Sequence, residues 1–415
     1  DRALKGMWSD FKKDPSEFGG ELLPQLFVGD GFGLEAGLTR DAAEAGLRSA
    51  AEGTAEQGLR NTARDSVRQG AEDVSRRPAE KVCEKDPVDV ATGRMVLPQT
   101  DVSLPGRLPL TIKRQFESSY RIGGWFGPSW SSTLDQRLEI DKEGVVFVGE
   151  DGLALPYPHP APGVPTLPTH GPRWLLDRVD AGYTLTDPES GQVRHFADRS
   201  DSLAVLEQID GRNGDWIMFE YGTDHAPRAL THSCGYRLLL SVADGRVTAL
   251  HLAGAAADGS DQELLRYVYT DGHLTEVVNS SGRPTVFGYD DRGRITSWTD
   301  TNDSHFTYVY DDEDRCTHQS GAAGHLRSTF AYGKVDPDTG EHSTTITDSQ
   351  GHVSRYLINR RCQVVAETDA LGSTTRYVRD RYNRLLSTTD PLGHTTSFRY
   401  DEAGNLTSVV RPDGR

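Results

Sequence analysis

The sequence has few cysteines and no long apolar run. Its four cysteines stand at positions 83, 234, 316 and 362, and none belongs to a Cys-x-x-Cys pair. Because a disulfide framework needs dense cysteines and a zinc site needs short ligand spacings, both are disfavoured and the thiols are predicted to be free. The longest apolar candidates, Val145–Val148 and Leu238–Val242, are far shorter than the ~20 residues of a membrane-spanning helix.

Large side chains are also scarce. Apolar residues make up 35% and aromatic residues 8% of the 415 positions, whereas there are 43 glycines and 21 prolines. This composition is poor for helical bundles and suits a chain with many turns. The 62 acidic residues outnumber the 45 basic residues, which gives a net charge of −17. Since acidic surfaces repel phosphate at long range, neither nucleic acid nor an anionic membrane is an expected partner.

Residues 1–85 differ from the rest and are predicted to be a helical N-terminal segment. Thr39–Arg76 is rich in Ala, Glu, Arg and Gln, and Pro78 ends the predicted helix. Each glycine inside this helix costs about 1 kcal/mol relative to alanine, so the helix needs a packing partner. We predict that the segment either links to another module or plugs a larger structure. In the second case four aromatic residues would anchor it: Trp8, Phe11, Phe18 and Phe27.

Residues 86–202 are predicted to form strands. Apolar and polar residues alternate in Val88–Pro98 and Leu108–Phe116, as in half-buried strands. Turn sequences at 141–144 and 187–191 predict two hairpins, and the proline-rich stretch 155–172 predicts a surface loop. Because no long linker interrupts the alternation elsewhere, we expect this part to continue the structure that follows it.

From about residue 203 to residue 415 the sequence repeats with a period of 21 residues. A glycine recurs at this spacing, with an aspartate three residues before it and an aromatic residue five residues after it. The glycines are Gly351, Gly372, Gly393 and Gly414, and the aromatic residues are Tyr356, Tyr377 and Phe398. A surplus of six residues before Gly351 predicts an inserted turn within Lys334–His342.

Each repeat is predicted to be a strand, a turn and a second strand. Phe287 and Tyr289 are two residues apart, so both lie on one face of a strand. Asp290–Gly293 and Asp401–Gly404 suit type I turns, because aspartate favours the first position and glycine accepts a positive φ at the last. Stacked side by side, such hairpins predict a long sheet in which less than about a tenth of 203–415 is helical.

The repeat resembles that of the YD-repeat, or Rhs, family. The unit Gly-x4-aromatic-x-Tyr-Asp-x2-Gly-x-[Leu/Ile]-Thr occurs at Gly282–Thr296 and at Gly393–Thr407. Residues 86–202 resemble the domain that precedes the repeats in bacterial Rhs polymorphic toxins. The residues that carry this second resemblance are Asp86-Pro-Val-Asp-Val-Ala-Thr-Gly93, Leu108-Pro-Leu110, Arg114, Tyr120 and Gly127-Pro-Ser-Trp130. Together the two resemblances cover residues 86–415.

The resemblance implies a mainly β, hollow, cocoon-like shell. In the family the repeats coil as a β-sheet spiral around a C-terminal toxin, which an aspartyl autoprotease cuts from the shell at the end of the repeats. No residue of this sequence matches the protease core or a toxin, so we expect a piece of a longer protein and assign none of its residues to either activity.

No catalytic constellation accompanies the repeats. Gly31–Gly37 lacks the strand–helix context of a dinucleotide loop, and the 13 histidines have no metal spacing. The acidic turn Asp311–Asp314 lacks the alternating ligands of a calcium loop and is predicted to be a solvated turn. The prediction is therefore a protein that is not an enzyme, with no catalytic, cofactor-binding or metal-binding residues and no cofactor.

Two functions follow as hypotheses. The first is a structural shell fragment that encapsulates the C-terminal toxin of a secreted Rhs protein, used in competition between bacteria, until delivery. Its partners would be its own C-terminal core and toxin, and a secretion-system component or chaperone bound through residues 1–85. The second is a carbohydrate- or cell-wall-binding module, in which the aromatic residues that recur along the repeats, called the aromatic row, stack on sugars. Either protein would be made in the bacterial cytoplasm and exported, although no export signal is visible in this sequence.

Overall fold

The fold is known from a computed structural model, which describes residues 76–77, 80–84 and 87–414. The predicted N-terminal helix and its four aromatic anchors lie outside these residues. The described chain consists of strands and turns, and its helical structure between residues 87 and 414 amounts to single 3-10 turns at Thr133–Asp135 and Ala322–Gly324. The prediction of a mainly β chain is therefore confirmed for the described residues.

The strands in chain order, within the described residues, are β1 (Cys83–Glu84), β2 (Val88–Asp89), β3 (Val96–Leu104), β4 (Leu110–Glu117), β5 (Trp130–Ser132), β6 (Arg137–Ile140), β7 (Val145–Val148), β8 (Ala154–Tyr157), β9 (Leu175–Val179), β10 (Gly182–Thr186), β11 (Val193–Ser200), β12 (Leu203–Asp210), β13 (Trp216–Tyr221), β14 (Pro227–His232), β15 (Arg237–Ala243), β16 (Arg246–Leu252), β17 (Gln262–Thr270), β18 (His273–Asn279), β19 (Pro284–Tyr289), β20 (Ile295–Thr299), β21 (His305–Tyr310), β22 (Cys316–Gly321), β23 (Ser328–Tyr332), β24 (His342–Asp348), β25 (Val353–Ile358), β26 (Val364–Thr368), β27 (Thr374–Arg379), β28 (Leu385–Thr389), β29 (Thr395–Tyr400) and β30 (Leu406–Val410).

One long antiparallel sheet, called the wall below, contains β9 to β30. Each of these strands pairs with the next one along the chain, from β9–β10 to β29–β30. The sheet forks at β12, whose first residues also pair with β6, and β6–β7–β8 extends from that point. The strands β3, β4 and β5 form a separate three-stranded sheet.

The expectation that residues 86–202 continue the following structure holds for part of that stretch. Residues 137–157 and 175–200 supply strands of the wall, as expected. Residues 96–132 instead pair among themselves in β3–β5. The proline-rich loop is exposed from Ala161 to Pro165, where Pro162 and Gly163 occupy a tight turn closed by a hydrogen bond from Val164 N to Ala161 O of 2.9 Å.

The wall has two edges made of turns. The upper edge consists of the turns that follow odd-numbered strands, among them 290–294, 311–315, 380–384 and 401–405, and the lower edge consists of those that follow even-numbered strands. Hairpins turn at Gly293 and Gly404, as predicted. The predicted insertion is the nine-residue upper-edge loop between Tyr332 and His342.

The upper-edge turns are built by the aspartate of the Tyr-Asp pair. Asp290 Oδ1 accepts hydrogen bonds from Arg292 N and Arg294 N, and Gly293 N donates to Asp290 O. The fourth residue of the turn has a left-handed φ, +72° at Gly293 and +61° at Asp314. Glycine, aspartate and asparagine tolerate that conformation best, which is why these residue types recur there.

Candidate functional site: the contact between the inner segment and the wall

The segment 87–136, called the inner segment, packs against one face of the wall, the inner face. Phe116, Phe126 and Trp130 of the inner segment are almost fully buried, and so are Tyr267 and Phe287 of the wall. Phe126 meets Tyr267 edge-on at 5.0 Å between ring centroids, and Trp130 meets Phe287 at 5.3 Å. One continuous hydrophobic core therefore joins the inner segment to the repeats.

An arginine and an aspartate lie buried at the centre of this contact. The side chains of Arg114 and Asp101 are 1% and 4% exposed, and Arg114 Nη2 donates to Asp101 Oδ1 at 2.7 Å. Tyr267 of the wall donates its hydroxyl to the same carboxylate at 2.6 Å. Burial lowers the pKa of Arg114, but the charge and hydrogen bond of Asp101 and the nearby Tyr267 and Tyr269 together raise it more, so the net pKa is raised and the arginine stays charged.

The Arg114 guanidinium also lies over aromatic rings from both partners. It is 4.7 Å from the centroid of Trp130 and 5.4 Å from that of Tyr267. A desolvated cation over an aromatic face is stabilised by the ring quadrupole. The inner segment is therefore linked to the wall at Tyr267, whose ring lies under Arg114 and whose hydroxyl donates to Asp101.

Polar contacts continue along the upper edge of the wall. The Val247 amide donates to Trp125 O at 3.0 Å, and the Cys316 amide donates to Gly93 O at 2.7 Å. Between these points Ser129 Oγ donates to Gly293 O at 2.8 Å and Ser118 Oγ donates to Asp314 O at 2.9 Å. The inner segment thus contacts turns of successive repeats at fixed points and sets their relative positions.

A second buried ionic group joins the inner segment to the residues before it. Glu117 accepts from Lys81 Nζ at 2.7 Å and from Arg94 Nη1 at 3.0 Å. Burial raises the pKa of Glu117, but its two cationic partners lower it more, and the resulting pKa is about 2. Arg76 and Asp89 form a neighbouring buried pair.

The Glu117 ion pairs predict an acid-dependent stability. The pKa of this carboxyl is about 2 in the folded protein and near the ordinary 4.5 in the unfolded chain, so its stabilisation is complete above pH ~4.5 and is lost as the pH falls towards 2. We expect Glu117→Gln to remove about 3 kcal/mol of pH-dependent stability across this range. Urea unfolding at several pH values measures it, and a slope identical to that of the parent protein would contradict the assignment.

The repeats hold one another through their tyrosines. In four repeats the tyrosine that ends the strand before an upper-edge turn donates its hydroxyl to a carbonyl fifteen positions earlier in sequence, in the preceding repeat unit. These bonds are Tyr221 to Leu206 O, Tyr289 to Leu274 O and Tyr310 to Ile295 O, each at 2.7 Å, and Tyr400 to Leu385 O at 3.0 Å. The hydroxyl reaches a backbone acceptor beside the turn, which explains why this position carries tyrosine rather than phenylalanine.

The last residue of several upper-edge turns adds an arginine to this contact. Arg294 pairs with Asp290 at 2.8 Å within its own turn and lies 4.9 Å above the ring of Tyr310 in the next repeat. Arg315 and Arg384 make the equivalent contacts with Tyr332 and Tyr400, at 4.6 Å and 4.8 Å. The Tyr-Asp motif therefore works as an inter-repeat contact, in which one unit supplies the cation and the next supplies the ring.

We expect Tyr310→Phe to destabilise the chain by about 1–2 kcal/mol, because the Ile295 carbonyl loses its hydroxyl donor in a buried position. Tyr400→Phe removes the same bond in a less buried repeat and should cost less. Paired thermal melts measure both effects. Equal losses of stability at the two positions would show that the contribution of this hydrogen bond does not depend on burial.

The acidic turn Asp311–Asp314 is neutralised by arginines. Asp311 and Glu313 pair with Arg315, and Asp314 pairs with Arg294. Asp311 and Glu313 thus pair within their own turn, and Asp314 pairs with the arginine of the preceding turn. Over residues 76–414, as far as they are described, no group of three His, Cys, Asp or Glu side chains is placed to hold a metal ion, and no helix is long and apolar enough to cross a membrane.

The turns between the last strands of the wall contact the residues just before its first strand, β9. Arg173, directly before β9 at the lower edge, donates to Glu402 O at 2.6 Å and lies 4.9 Å from the ring of Tyr382. Both partners belong to upper-edge turns of the last four strands. The wall therefore comes back to its start one strand length lower, which is the geometry of a spiral. We call this contact the seam.

Sequence reasoning found the aromatic row but missed its partner. Phe287 and Tyr289 share one face of the wall, as predicted, and with Tyr308 they belong to the core that joins neighbouring strands to the inner segment. The Asp101–Arg114–Tyr267 group was not predicted. A signal for it does exist, because Leu110, Ile112, Arg114 and Phe116 share one face of β4, which places a charged residue in an otherwise apolar row.

Two known families match parts of the chain, one in the wall and one around the inner segment. Residues 269–297, 289–326, 363–394 and 379–415 each match the family described as RHS Repeat. These stretches of the chain are Rhs repeats. Residues 85–157 match a second family, described as a domain of unknown function (DUF6531), and this match includes the whole inner segment.

Rhs proteins with curated names are similar over much of the chain. It is 27% identical over 287 residues to the probable deoxyribonuclease RhsA of Dickeya dadantii (strain 3937), which covers 68% of this chain and 19% of that protein. It is 25% identical over 274 residues to double-stranded DNA deaminase toxin A of Burkholderia cenocepacia (strain H111), covering 58% of this chain and 19% of the relative. The chain therefore spans about a fifth of the length of these relatives.

A solved structure also aligns with this chain. The crystal structure of TcdB2-TccC3-Cdc42 matches 76% of this chain and 18% of the solved chain, at 11% identity and with a TM-score of 0.38.

Proposed function

We propose that this chain is the beginning of a shell wall that encloses a toxin domain carried C-terminally on the same protein, until the protein is delivered to another cell. The single observation that carries the proposal is the inner segment, which fills the inner face of the wall along β14–β24 and joins it in one core. A wall whose interior is filled at one end has the form expected of the closed end of a container.

The two named relatives support a separation between wall and toxin. One is named a probable deoxyribonuclease and the other a DNA deaminase, yet each matches this chain over 19% of its own length. Different chemistries joined to a similar stretch indicate that the matched stretch supplies something other than the reaction. The partners would then be the chain's own C-terminal core and toxin, with residues 1–85 available to a secretion component or chaperone, and the protein would be exported.

The test uses the full-length protein that carries this chain and a C-terminal toxin. Limited proteolysis should leave the toxin domain uncut while exposed loops such as 158–165 are cleaved. Arg114→Glu, which places an acid against Asp101 in the buried contact, should open the closed end and make the toxin domain cleavable. Arg178→Glu changes an exposed ion pair with the same charge reversal and serves as the control. A toxin domain that is equally cleavable in all three proteins would refute encapsulation.

The carbohydrate-binding alternative has less support in the described repeats. Phe287 and Tyr308 are 2% and 3% exposed, so these members of the aromatic row are not available to stack on a sugar. Aromatic residues of the last strands, such as Tyr377 and Phe398, are half-buried and remain the ones on which that alternative would depend.

A further inference from the structure

The seam holds a cluster of arginines that lacks an equal number of acids. Arg173, Arg381 and Arg384 surround the ring of Tyr382, with guanidinium carbons 4.9, 4.7 and 5.6 Å from its centroid. The carboxylate paired with this group is Asp380, which accepts from Arg384 Nε at 2.7 Å. In a chain with a net charge of −17, three converging cations with one paired acid call for an explanation.

In an earlier repeat the same arginine position has a carboxylate acceptor from the next turn. Arg294 ends the turn 290–294, and its Nη1 donates to Asp314 Oδ1 at 3.0 Å and to Asp311 O at 2.8 Å. Asp314 is the fourth residue of the next upper-edge turn. The acceptor of Arg294 is thus a carboxylate supplied twenty residues later by the following repeat.

Arg384 occupies the position of Arg294 without that carboxylate. The residue twenty positions after Arg384 is Gly404, again the fourth residue of the next upper-edge turn. Arg384 Nη1 is buried, and within the described residues it has no hydrogen-bond acceptor. This repeat therefore has the arginine but not the carboxylate that accepts from Arg294 in the earlier repeat.

A second donor without an acceptor points to the same spot. Arg173 Nε is also buried without an acceptor among the described residues, although its Nη2 is used by Glu402 O. A Cβ atom placed on Gly404 would lie 3.3 Å from Arg173 Nε and 3.4 Å from Arg384 Nη1. Two guanidinium donors from opposite sides of the seam therefore converge where a side chain at position 404 would begin.

We propose that Arg173 and Arg384 bind a small oxyanion beside Gly404, at the seam of the wall. Guanidinium groups recognise carboxylate and phosphate oxygens through parallel N–H donors, and burial strengthens such charge-assisted bonds. The anion would replace the carboxylate that Asp314 provides in the earlier repeat and would join the first strands of the wall to the last. Its source is either a free phosphate-like ion or a carboxylate from a polypeptide.

Isothermal titration of the full chain with inorganic phosphate, and separately with acetate, tests the site at constant ionic strength. Arg173→Gln and Arg384→Gln should each weaken phosphate binding tenfold or more, whereas Arg399→Gln, an exposed arginine on β29, should leave it unchanged. Preference for phosphate identifies a free ion as the source, and preference for acetate identifies a carboxylate. Binding that is absent, or equal in all variants, would indicate an adventitious ion only and overturn the proposal.

Gly404→Asp provides a test that does not remove either arginine. Aspartate is accepted at the equivalent position 314 with φ at +61°, while Gly404 has φ at +97°, so a modest backbone adjustment is required. The new carboxylate should occupy the site, abolish phosphate binding and leave the melting temperature at or above that of the parent chain. A Gly404→Asp protein that folds and binds phosphate as tightly as the parent would contradict the site.

Discussion

Replacing Arg114 with methionine is expected to destabilise the protein by about 3–5 kcal/mol, because the variant leaves Asp101 buried without its cation. It also removes the guanidinium from Trp130 and Tyr267, which come from the two partners of the contact. Methionine keeps most of the side-chain volume, so the loss reports the charge and its π contacts rather than a large cavity. Urea unfolding measures the effect.

Two comparisons separate this interpretation from a general loss of packing. Arg114→Met combined with Asp101→Leu removes both charges, and an apolar replacement of a buried pair often restores stability. Arg178→Met breaks an ion pair whose side chains are 32% and 37% exposed, and such surface pairs contribute about 0–1 kcal/mol. If Arg114→Met costs no more than Arg178→Met, the buried pair does not stabilise the contact between the inner segment and the wall.

Tyr308→Ala is expected to cost about 3–5 kcal/mol, the range found when a buried aromatic side chain is truncated. Tyr308 is 3% exposed and its hydroxyl accepts from Trp298 Nε1 at 2.9 Å. Tyr377 occupies the same position of a later repeat but is half-buried, so Tyr377→Ala should cost roughly half as much or less. Thermal melts of the two variants measure the difference.

The same pair of variants distinguishes the wall from a carbohydrate-binding surface. If the aromatic row serves packing, Tyr308→Ala lowers the melting temperature and has no separate effect on binding. If the row binds a polysaccharide, Tyr308→Ala changes stability by less than about 0.5 kcal/mol and reduces retention on the polymer. An unchanged melt together with lost binding would reverse the order of the two functions.

The regular part of the wall could be predicted from sequence because the residues that determine each hairpin lie within that hairpin. The 21-residue period, the alternation of Phe287 and Tyr289, and the aspartate–glycine turns all act within one hairpin, so local rules suffice. Second strands that followed directly on the predicted turns Asp290–Gly293 and Asp401–Gly404 would begin at Arg294 and Asn405, one residue before the observed β20 and β30. The amides of these two residues donate to the turn aspartates and thus belong to the turns.

The inner segment could not be predicted in the same way because its contacts are distant in sequence. Asp101 meets Tyr267 across 166 positions, and Arg173 meets Glu402 across 229. The single strand predicted from the alternation in Val88–Pro98 is wrong, because a turn closed by the Gly93 N to Asp89 O hydrogen bond separates β2 from β3. The alternation also cannot say which sheet a strand joins, and β3 pairs with β4 rather than with the wall. Partner choice depends on the shape of the complete inner face, which no local pattern contains.

The inner segment and the repeats form one structural unit with a common core. Hydrogen exchange at two backbone amides tests this most directly. Val247 N and Cys316 N, both in the wall, donate to Trp125 O and Gly93 O of the inner segment. We predict that these amides exchange as slowly as Tyr308 and other buried positions inside the wall, because all of them open only when the whole unit unfolds. Fast exchange at Val247 and Cys316 while the amides between wall strands stay protected would show that the inner segment detaches by itself, and would contradict the claim.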